Sequence, residues 1–337
     1  MHYQNQKYLL SKRPQGMPEN DCWNIDYEDI TSISTGQIII EVEYLSIDPY
    51  MRGRMNEGVS YTSPVKIGGI MVGETVGTVV ESKSNLFSIG DKVCAHCGWQ
   101  KYIKTKDTNS TLIKVPNSDL TLSSFIGALG MPGRTAYFGL KNVGKPKNGD
   151  TLVVSAASGA VGSIVGQLGK LAGCHVVGIA GGPEKCDFVK NELHFDDCID
   201  YKSTSFSSEL KESCKNGIDI YFENVGGNVT REIAPLLNPG SRVPICGYIS
   251  KYNEKDLLNT ETPFHVFGKL NPKPSHRFFV VTEWANQWEA ATKELLELVN
   301  ENKIFYRETI TNGFENAPQA LRDVLSGKNF GKQIIKI

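Results

Sequence analysis

A run of aliphatic residues, a turn of small residues and a helix follow one another near the middle of the chain. This order constrains the fold more than any other feature. The run, Leu152 to Val154, is typical of a strand buried on both faces. The turn is Ala157 to Gly162, and the small and apolar residues of Val161 to Ala172 predict a helix. A strand that passes through such a turn into a helix is the first half of a βαβ unit.

The alternation of strands and helices continues to a long helix near residue 300. The strand-like segments are HVVGIAG, DDCIDYK, GIDIYFENVG, SRVPICGYI and RFFVVTEW. The helix-like segments between and after them include PEKCDFVKNEL, VTREIAPLL and ANQWEAATKELLELVNENK. Such alternation predicts a doubly wound α/β domain, in which helices cover a parallel sheet.

The first part of the chain has a different pattern. From Gln37 to Val115, short strand-like runs are separated by Gly, Asn and Asp turns, which predicts a β-rich domain. The segment SSFIGALGMPGRTAYFGLKNVG then predicts a helix, a turn and a second helix. The last residues, GKQIIKI, form a strand pattern, and we expect this strand to pair with the β-rich part because an isolated strand is not stable.

Composition excludes several classes of protein. The formal net charge of -1 over 337 residues leaves no basic footprint for nucleic acid or an anionic membrane. No apolar run is long enough for a membrane span, and the N-terminal residues lack the apolar core of a signal peptide. The 8 cysteines are scattered, which indicates free thiols in a reducing compartment. We therefore expect a cytoplasmic protein.

The turn after the central strand predicts a dinucleotide-binding site. Gly159 lets the backbone approach a pyrophosphate, and Gly162 allows close packing of helix on strand. The helix N-terminus supplies positive potential for the phosphates. Ala157 stands where the usual motif has its first glycine, so a turn without a nucleotide remains the alternative.

The next strand predicts which cofactor binds. Enzymes that use NAD usually carry an acid at the end of this strand, which binds the ribose 2′-hydroxyl. Here the strand ends in Ala180, Gly181 and Gly182, and Glu184 is followed by Lys185. A lysine attracts a 2′-phosphate, so we predict NADP(H). The alternative is that Lys185 is an ordinary exposed lysine of the helix.

The segment Cys94-Ala95-His96-Cys97 looks like a cluster of metal ligands. A single C-x-x-C lacks the second pair that a closed zinc site needs, and alternate residues of a strand face opposite sides. We therefore predict no metal site.

Several motifs together resemble the medium-chain dehydrogenase/reductase superfamily. They are GMPGRTAY, AASGAVG, ENVGG, ICGYISKYN and NFGK, in this order. DPYMRGRM and SKYN resemble the zinc-free branch that holds prostaglandin reductases, alkenal double-bond reductases and bacterial curcumin reductase. Where the zinc alcohol dehydrogenases carry a cysteine ligand, this chain has Ser46 to Pro49. Where they have Gly-His-Glu, it has Val72-Gly73-Glu74.

The resemblance implies an architecture. Residues 1–126 and 301–337 would form a GroES-like, β-rich substrate domain, and residues 127–300 a Rossmann domain with a doubly wound parallel sheet. NADP(H) would bind in the cleft between the domains. Members of the family are commonly dimers, so a homodimer is implied as well.

The resemblance also implies roles for individual residues. Lys185 and Tyr201 would hold the 2′-phosphate, and Asn224 would line the nicotinamide. The complete implied set for the cofactor is Gly159, Ala160, Val161, Gly162, Ser163, Gly181, Lys185, Tyr201, Asn224, Cys246, Gly247, Tyr248, Ile249, Ser250, Tyr252, Phe279, Val280 and Asn329.

The implied chemistry is the reduction of a conjugated carbon–carbon double bond. A hydride is added to the β-carbon of an enal or enone, and a hydroxyl donor stabilises the enolate oxygen. Tyr252 is the implied catalytic donor, and Tyr50 resembles a tyrosine that lines the substrate pocket. Each tyrosine could instead be a buried aromatic residue whose hydroxyl is bound by the backbone. The α-carbon receives its proton from a tyrosine or from water.

Two other functions remain open at this point. A quinone oxidoreductase shares the zinc-free fold and the cofactor, and a non-catalytic NADPH-binding protein would share the cofactor site. The loop from Lys251 to Pro274 is rich in Asn, Pro and Lys, and we expect it to set the pocket width and to close over the substrate.

Overall fold

The computed structural model describes residues 2–57, 62–254 and 259–337. Its strands are β1 (Tyr3–Leu10), β2 (Trp23–Ile30), β3 (Gln37–Ser46), β4 (Thr75–Ser82), β5 (Lys92–Ala95), β6 (Tyr102–Lys106), β7 (Ile113–Lys114), β8 (Thr151–Ser155), β9 (His175–Ala180), β10 (Asp197–Asp200), β11 (Ile218–Phe222), β12 (Leu237–Ile245), β13 (Ser275–Phe278), β14 (Glu308–Asn312) and β15 (Lys332–Lys336).

The α-helices are α1 (Tyr50–Arg54), α2 (Met131–Phe138), α3 (Gly162–Leu171), α4 (Pro183–Asn191), α5 (Phe206–Ser213), α6 (Gly227–Ile233), α7 (Pro263–Gly268), α8 (Trp288–Asn300) and α9 (Ala317–Leu325). A π-helical segment, Gly139–Gly144, continues α2, and short 3₁₀ turns occur elsewhere, including Leu122–Ile126. None of the helices in the described ranges has both the length and the apolar character that a membrane span requires.

The chain forms two compact units. Unit 1 comprises Met1–Gly127, Glu308–Asn329 and Gln333–Ile337, and unit 2 comprises Ala128–Arg307 and Phe330–Lys332. Unit 1 is built on a sheet in the order β14-β15-β3-β4-β5-β7, with β6 paired to β3. The centre of this sheet is apolar because Ile38, Ile39 and Ile40 of β3 are buried. Strand β15 pairs antiparallel with β3, which confirms the prediction for the final strand.

Unit 2 is built on a six-stranded sheet in the order β10-β9-β8-β11-β12-β13. All of its strand pairs are parallel. Helices connect the successive strands, so the predicted fold class is confirmed: a β-rich domain and a Rossmann-like, doubly wound α/β domain. The chain runs outward from β8 in both directions, and the change of direction between β8 and β11 is the position where such folds bind ligands.

One predicted strand, RFFVVTEW, is wrong after its first two residues, Arg277 and Phe278. Strand β13 ends at Phe278, and a 3₁₀ segment begins at Val281. The backbone N–H of Val280 donates to the Glu283 carboxylate at 2.8 Å, and the indole of Trp288 donates to the carbonyl of Val281 at 3.0 Å. These side chains satisfy backbone groups that a longer strand would have paired with a neighbour.

The segment from Lys251 to Pro274, which was expected to be a loop, contains helix α7. A capping box starts this helix, in which the side chain of His265 binds the backbone of Thr262. Residues 255–258 of the segment lie outside the described residues. The expected closure over a substrate stays a prediction.

The eight cysteines are all free and most are buried, as their scattered positions predicted. They behave as small apolar residues of the core.

Candidate active site

The turn after β8 has the geometry that a close helix–strand contact requires. Ala156 adopts a left-handed conformation with φ of +51°, and the chain then turns into α3. A Cβ on Gly162 would lie 2.3 Å from the carbonyl oxygen of Ala156, so only glycine fits at this position. The positive φ belongs to Ala156, and Ala157 therefore serves where the usual motif has its first glycine.

The start of α3 offers donors to an anion. The backbone N–H groups of Ala160 and Val161 have no acceptor within the described residues, and both residues are half-buried. The N–H of Ser163 is bound to the carbonyl of Gly159 at 3.1 Å. Free amides at the N-terminus of a helix lie at its positive end, where they can donate hydrogen bonds to a phosphate group. Within Ala160 to Ser163, the amides of Ala160 and Val161 are thus available, as is that of the buried Gly162, while that of Ser163 is already bound.

The NFGK segment lies directly against this turn. The N–H of Gly331 donates to the carbonyl of Ser158 at 3.1 Å, and Gly331 forms a parallel bridge with Gly159. Gly331 has φ of +70°, a conformation that favours glycine. Asn329, which is predicted to bind the cofactor, comes two residues earlier in the chain.

The end of β9 brings two of the predicted cofactor residues, Gly181 and Tyr201, together. A Cβ on Gly181 would lie 2.8 Å from the ring of Tyr201, so this exposed ring lies over the backbone of Gly181. Lys185 is half-buried in the first turn of α4. Burial lowers the pKa of Lys185, and the nearby charge of Lys202 lowers it further. The carboxylate of Asp200 accepts hydrogen bonds from the backbone N–H groups of Gly182 and Lys202, each at 2.9 Å.

The end of β11 is organised by a buried carboxylate, Glu223. Its exposure is 0 %, and it accepts hydrogen bonds from the Tyr221 hydroxyl at 2.9 Å and from the backbone N–H groups of Val225 at 2.8 Å and Gly226 at 2.9 Å. The Thr230 hydroxyl donates to its second oxygen. Burial raises the pKa of Glu223, and these hydrogen bonds partly oppose that effect.

Asn224 is held against the end of β8. Its side-chain amide donates to the carbonyl of Ser155 at 2.7 Å, and its backbone N–H donates to the Ser155 hydroxyl at 2.9 Å. Asn224 therefore spans the two strands between which the sheet changes direction.

The segment from Cys246 to Tyr252 is fastened to the same turn. The N–H groups of Cys246, Ile249 and Ser250 donate to the carbonyls of Glu223, Asn224 and Val225, at 2.9, 3.1 and 3.0 Å in that order. Burial and the charge of Glu223 raise the pKa of Cys246 to about 12, so its thiol is neutral at physiological pH.

Tyr252 lies within this segment. Its ring packs edge-on against Tyr248, with 5.7 Å between the ring centres. A Cβ on Gly247 would lie 2.6 Å from the Tyr252 hydroxyl, so the hydroxyl lies close to the backbone of Gly247. Gly247, Tyr248 and Tyr252, all predicted site residues, are therefore in one cluster.

Phe279 differs from the other predicted cofactor residues. Its side chain is buried and contacts Phe222 edge-on, with 6.0 Å between the ring centres. Its N–H donates to the carbonyl of Ile245 at 3.3 Å. A role of Phe279 in cofactor binding would therefore involve its backbone carbonyl and not its ring. Val280 follows it and is half-buried.

Tyr50 belongs to unit 1, where it is the first residue of α1. Its hydroxyl lies 3.4 Å from Nε2 of His96, and the two rings are stacked. Burial lowers the pKa of His96, which the charges of Glu74 and Asp48 partly oppose.

The thiols of Cys94 and Cys97, on either side of His96, form hydrogen bonds with different partners. The Cys94 thiol donates to the carbonyl of Phe125 at 3.6 Å, and Cys97 accepts from the side chain of Asn109 at 3.6 Å. Among the residues that the structure describes, no group of three or more His, Cys, Asp or Glu side chains is arranged to hold a metal ion.

Comparison with known proteins gives the family. Residues 6–114 match the model of an N-terminal domain of oxidoreductase, and residues 160–296 match that of a zinc-binding dehydrogenase. The chain is 43% identical to an NADPH-dependent curcumin reductase of Escherichia coli, over 99% of this chain and 97% of that protein. It is 37% identical to an NADP⁺-dependent 2-alkenal reductase of Nicotiana tabacum, over 99% of this chain and 97% of that one.

This chain belongs to the zinc-free medium-chain dehydrogenase/reductase family. The crystal structure of CurA from Vibrio vulnificus in complex with NADPH superposes on it with a TM-score of 0.91 and 43% identity, over 98% of both chains. The predicted family is thereby confirmed, and so is the prediction that the protein is an enzyme, an oxidoreductase.

Sequence reasoning missed the buried carboxylate of Glu223 and the contact between Arg307 and Phe330, in which the guanidinium carbon lies 3.8 Å from the ring centre. Glu223 is part of the quoted ENVGG motif, and the absence of a basic residue beside it could have indicated a buried carboxylate. Phe330 lies in NFGK. Arg307 has no signal in the sequence, because its place depends on how the chain returns after α8.

Proposed function

We propose that this medium-chain reductase uses NADPH to reduce the carbon–carbon double bond of α,β-unsaturated aldehydes and ketones. The similarity to curcumin and alkenal reductases over nearly the whole chain carries the proposal. NADP(H) as cofactor is supported by the relatives' names and by the neighbour solved with NADPH. The donor set of unit 2 fits this cofactor, since it offers amides for the pyrophosphate and a lysine for the 2′-phosphate.

Binding of the cofactor would involve three groups of residues. The N–H groups of Ala160 and Val161 would hold the pyrophosphate at the positive end of α3. Lys185 and Tyr201 would hold the 2′-phosphate. Asn224, oriented by Ser155, would face the nicotinamide. When bound, NADPH supplies the hydride that the β-carbon of the substrate receives.

Tyr252 would act on the substrate oxygen. As the β-carbon gains a hydride, the electron pair of the double bond moves towards the carbonyl, and negative charge collects on its oxygen. The Tyr252 hydroxyl would donate a hydrogen bond to that oxygen, and its contact with Tyr248 limits the positions that the ring can adopt. The α-carbon then gains a proton from a tyrosine or from water, and the product is the saturated carbonyl compound.

Tyr50 would line the substrate pocket, as the family resemblance implies. Its hydroxyl is near His96, which burial keeps predominantly neutral. A neutral imidazole can accept from Tyr50 or donate to it, so the pair can present either a donor or an acceptor. A homodimer and a cytoplasmic location are further parts of the proposal, and light scattering of the purified protein tests the former.

Steady-state assays with several acceptors test this function. NADPH and NADH are each offered with trans-2-alkenals, with cyclic and linear enones and with quinones, and EDTA is added to a parallel set. The proposal predicts turnover of enals or enones, a strong preference for NADPH and no effect of EDTA. Turnover of quinones alone would favour a quinone oxidoreductase, and tight NADPH binding without turnover would favour a non-catalytic protein.

A further inference from the structure

We infer that Arg307 is a selectivity residue for the ribose 2′-phosphate of the cofactor, and that Phe330 holds its guanidinium group in place. This inference rests on the proposed binding of NADPH. It adds a residue, outside the motifs of the sequence, to Lys185 and Tyr201.

The geometry centres on the ring of Phe330. The guanidinium carbon of Arg307 lies 3.8 Å from the ring centre, and Phe188 of α4 packs edge-on against the same ring at 4.9 Å. The ammonium nitrogen of Lys185 lies 5.9 Å from the ring centre. Both cations therefore contact one aromatic ring, and they lie less than about 10 Å apart, roughly one Debye length at moderate salt.

The backbone places this cluster beside the phosphate turn. The N–H of Lys332 donates to the carbonyl of Arg307 at 2.8 Å. A Cβ on Gly331 would lie 2.0 Å from that same carbonyl oxygen, so the two chain segments are in close contact. Gly331 also donates to Ser158 of the phosphate turn. Arg307 is thus attached to the segment that pairs with the predicted pyrophosphate site.

The side chains of this cluster are mainly positively charged. Arg307 is exposed and makes no ion pair with any residue of the described ranges. The charge of Lys202 lowers the pKa of Lys185, and that of Glu184 raises it. A phosphate dianion would relieve the repulsion between Lys185 and Lys202 and would offer Arg307 an anionic partner. A guanidinium can offer it two parallel N–H groups, which an ammonium cannot.

A purely structural role of Arg307 is the competing explanation. Its guanidinium could do no more than cover the Phe330 ring, and its loss would then weaken all adenine nucleotides alike. The two roles differ in their dependence on the 2′-phosphate. Binding of adenosine 2′,5′-bisphosphate, compared with adenosine 5′-monophosphate, separates them without any turnover.

The experiment is calorimetric titration of these two nucleotides into the wild-type protein and into R307Q, R307K and F330L. We expect R307Q to bind the bisphosphate about tenfold more weakly, as is typical of the loss of one charged hydrogen bond, with binding of the monophosphate unchanged. R307K should recover part of the loss, and F330L should reproduce it in part. K303Q removes an exposed charge that is paired with Glu301 and should change neither nucleotide.

Two results would overturn the inference and leave the proposed function intact. One is bisphosphate binding by R307Q equal to that of the wild type, and the other is an equal loss for both nucleotides. If the wild-type protein binds neither the bisphosphate nor NADPH, the cofactor assignment itself fails and the inference fails with it. Melting temperatures of the variants, measured without nucleotide, show whether each is folded.

Discussion

The side-chain amide of Asn224 donates to the carbonyl oxygen of Ser155 at 2.7 Å and so ties the end of β11 to the end of β8. These are the two strands between which the sheet changes direction. Three features of unit 2 lie at that point: the phosphate turn from Ala157 to Gly162, the buried carboxylate of Glu223, and Tyr252.

Replacement of Asn224 by alanine tests whether this contact serves the cofactor. We expect the KM for NADPH to rise several-fold, because the amide no longer orients the turn, while the KM for the enone changes little. The loss of one hydrogen bond should lower the free energy of unfolding by about 1 kcal/mol. Equal changes in both KM values would contradict a role directed at the cofactor, and titration of NADPH into the variant gives the affinity directly.

Two glycines of the phosphate turn should respond differently to alanine. In G162A the added Cβ would lie 2.3 Å from a backbone oxygen, and we expect a loss of about 1–3 kcal/mol in the free energy of unfolding. In G159A the added Cβ would lie 3.1 Å from its nearest neighbour, the carbonyl oxygen of Ala156, so the free energy of unfolding should fall less. NADPH should nevertheless bind more weakly, because the backbone can no longer approach the pyrophosphate.

G268A is the matched control for the two turn variants, because nothing lies within 4 Å of its added Cβ and its φ is not positive. Denaturant unfolding and NADPH titration should leave it near the wild type. If G159A binds NADPH like the wild type, the turn does not hold the pyrophosphate.

The buried carboxylate of Glu223 predicts a dependence of stability on pH. Burial raises its pKa in the folded state above 4.5, the ordinary value for a glutamate. Between these two pKa values the folded protein therefore holds a proton that the unfolded chain has released. The contribution of this proton to the free energy of unfolding is present in full below pH 4.5, and it is lost as the pH rises through the folded-state pKa of Glu223. The difference in unfolding free energy between wild type and E223Q should therefore shift in favour of E223Q as the pH rises above that value. A difference that is constant with pH would contradict this.

The hydroxyl of Tyr252 should affect the chemical step more than binding. We expect Y252F to lower kcat by about one hundredfold, the usual effect of removing one donor to a developing oxyanion. Its ring can still pack against Tyr248, so stability and NADPH affinity should stay near the wild type. Y137F removes a hydroxyl that binds the Glu294 carboxylate of α8, and it serves as the control. A kcat of Y252F equal to that of Y137F would remove Tyr252 from the mechanism.

Much of the fold follows from local pattern. The strand–helix alternation after Asp150 and the pairing of the last strand were both predictable, because apolar periodicity and unpaired backbone groups leave few arrangements. The end of β13 was not predictable, because Glu283 and Trp288 compete for backbone groups that the apolar run FFVV suggested were in a strand.

The candidate site was predictable only in part. Gly162 allows the close packing of helix on strand that its pattern predicted, because the contact lies within its own turn. The bond of Asn224 to Ser155 joins two strands, and its predicted place beside the nicotinamide stays a prediction. The cluster of Arg307, Phe330 and Lys185 joins three distant segments of the chain, and no period or spacing in the sequence indicates that they meet.

The central claim is tested most directly by following NADPH consumption with a trans-2-alkenal and identifying the product. The account predicts that NADPH is consumed in step with the formation of the saturated aldehyde, and that NADH supports far slower turnover. Formation of the allylic alcohol, or no consumption with any enal or enone while quinones are reduced, would contradict it.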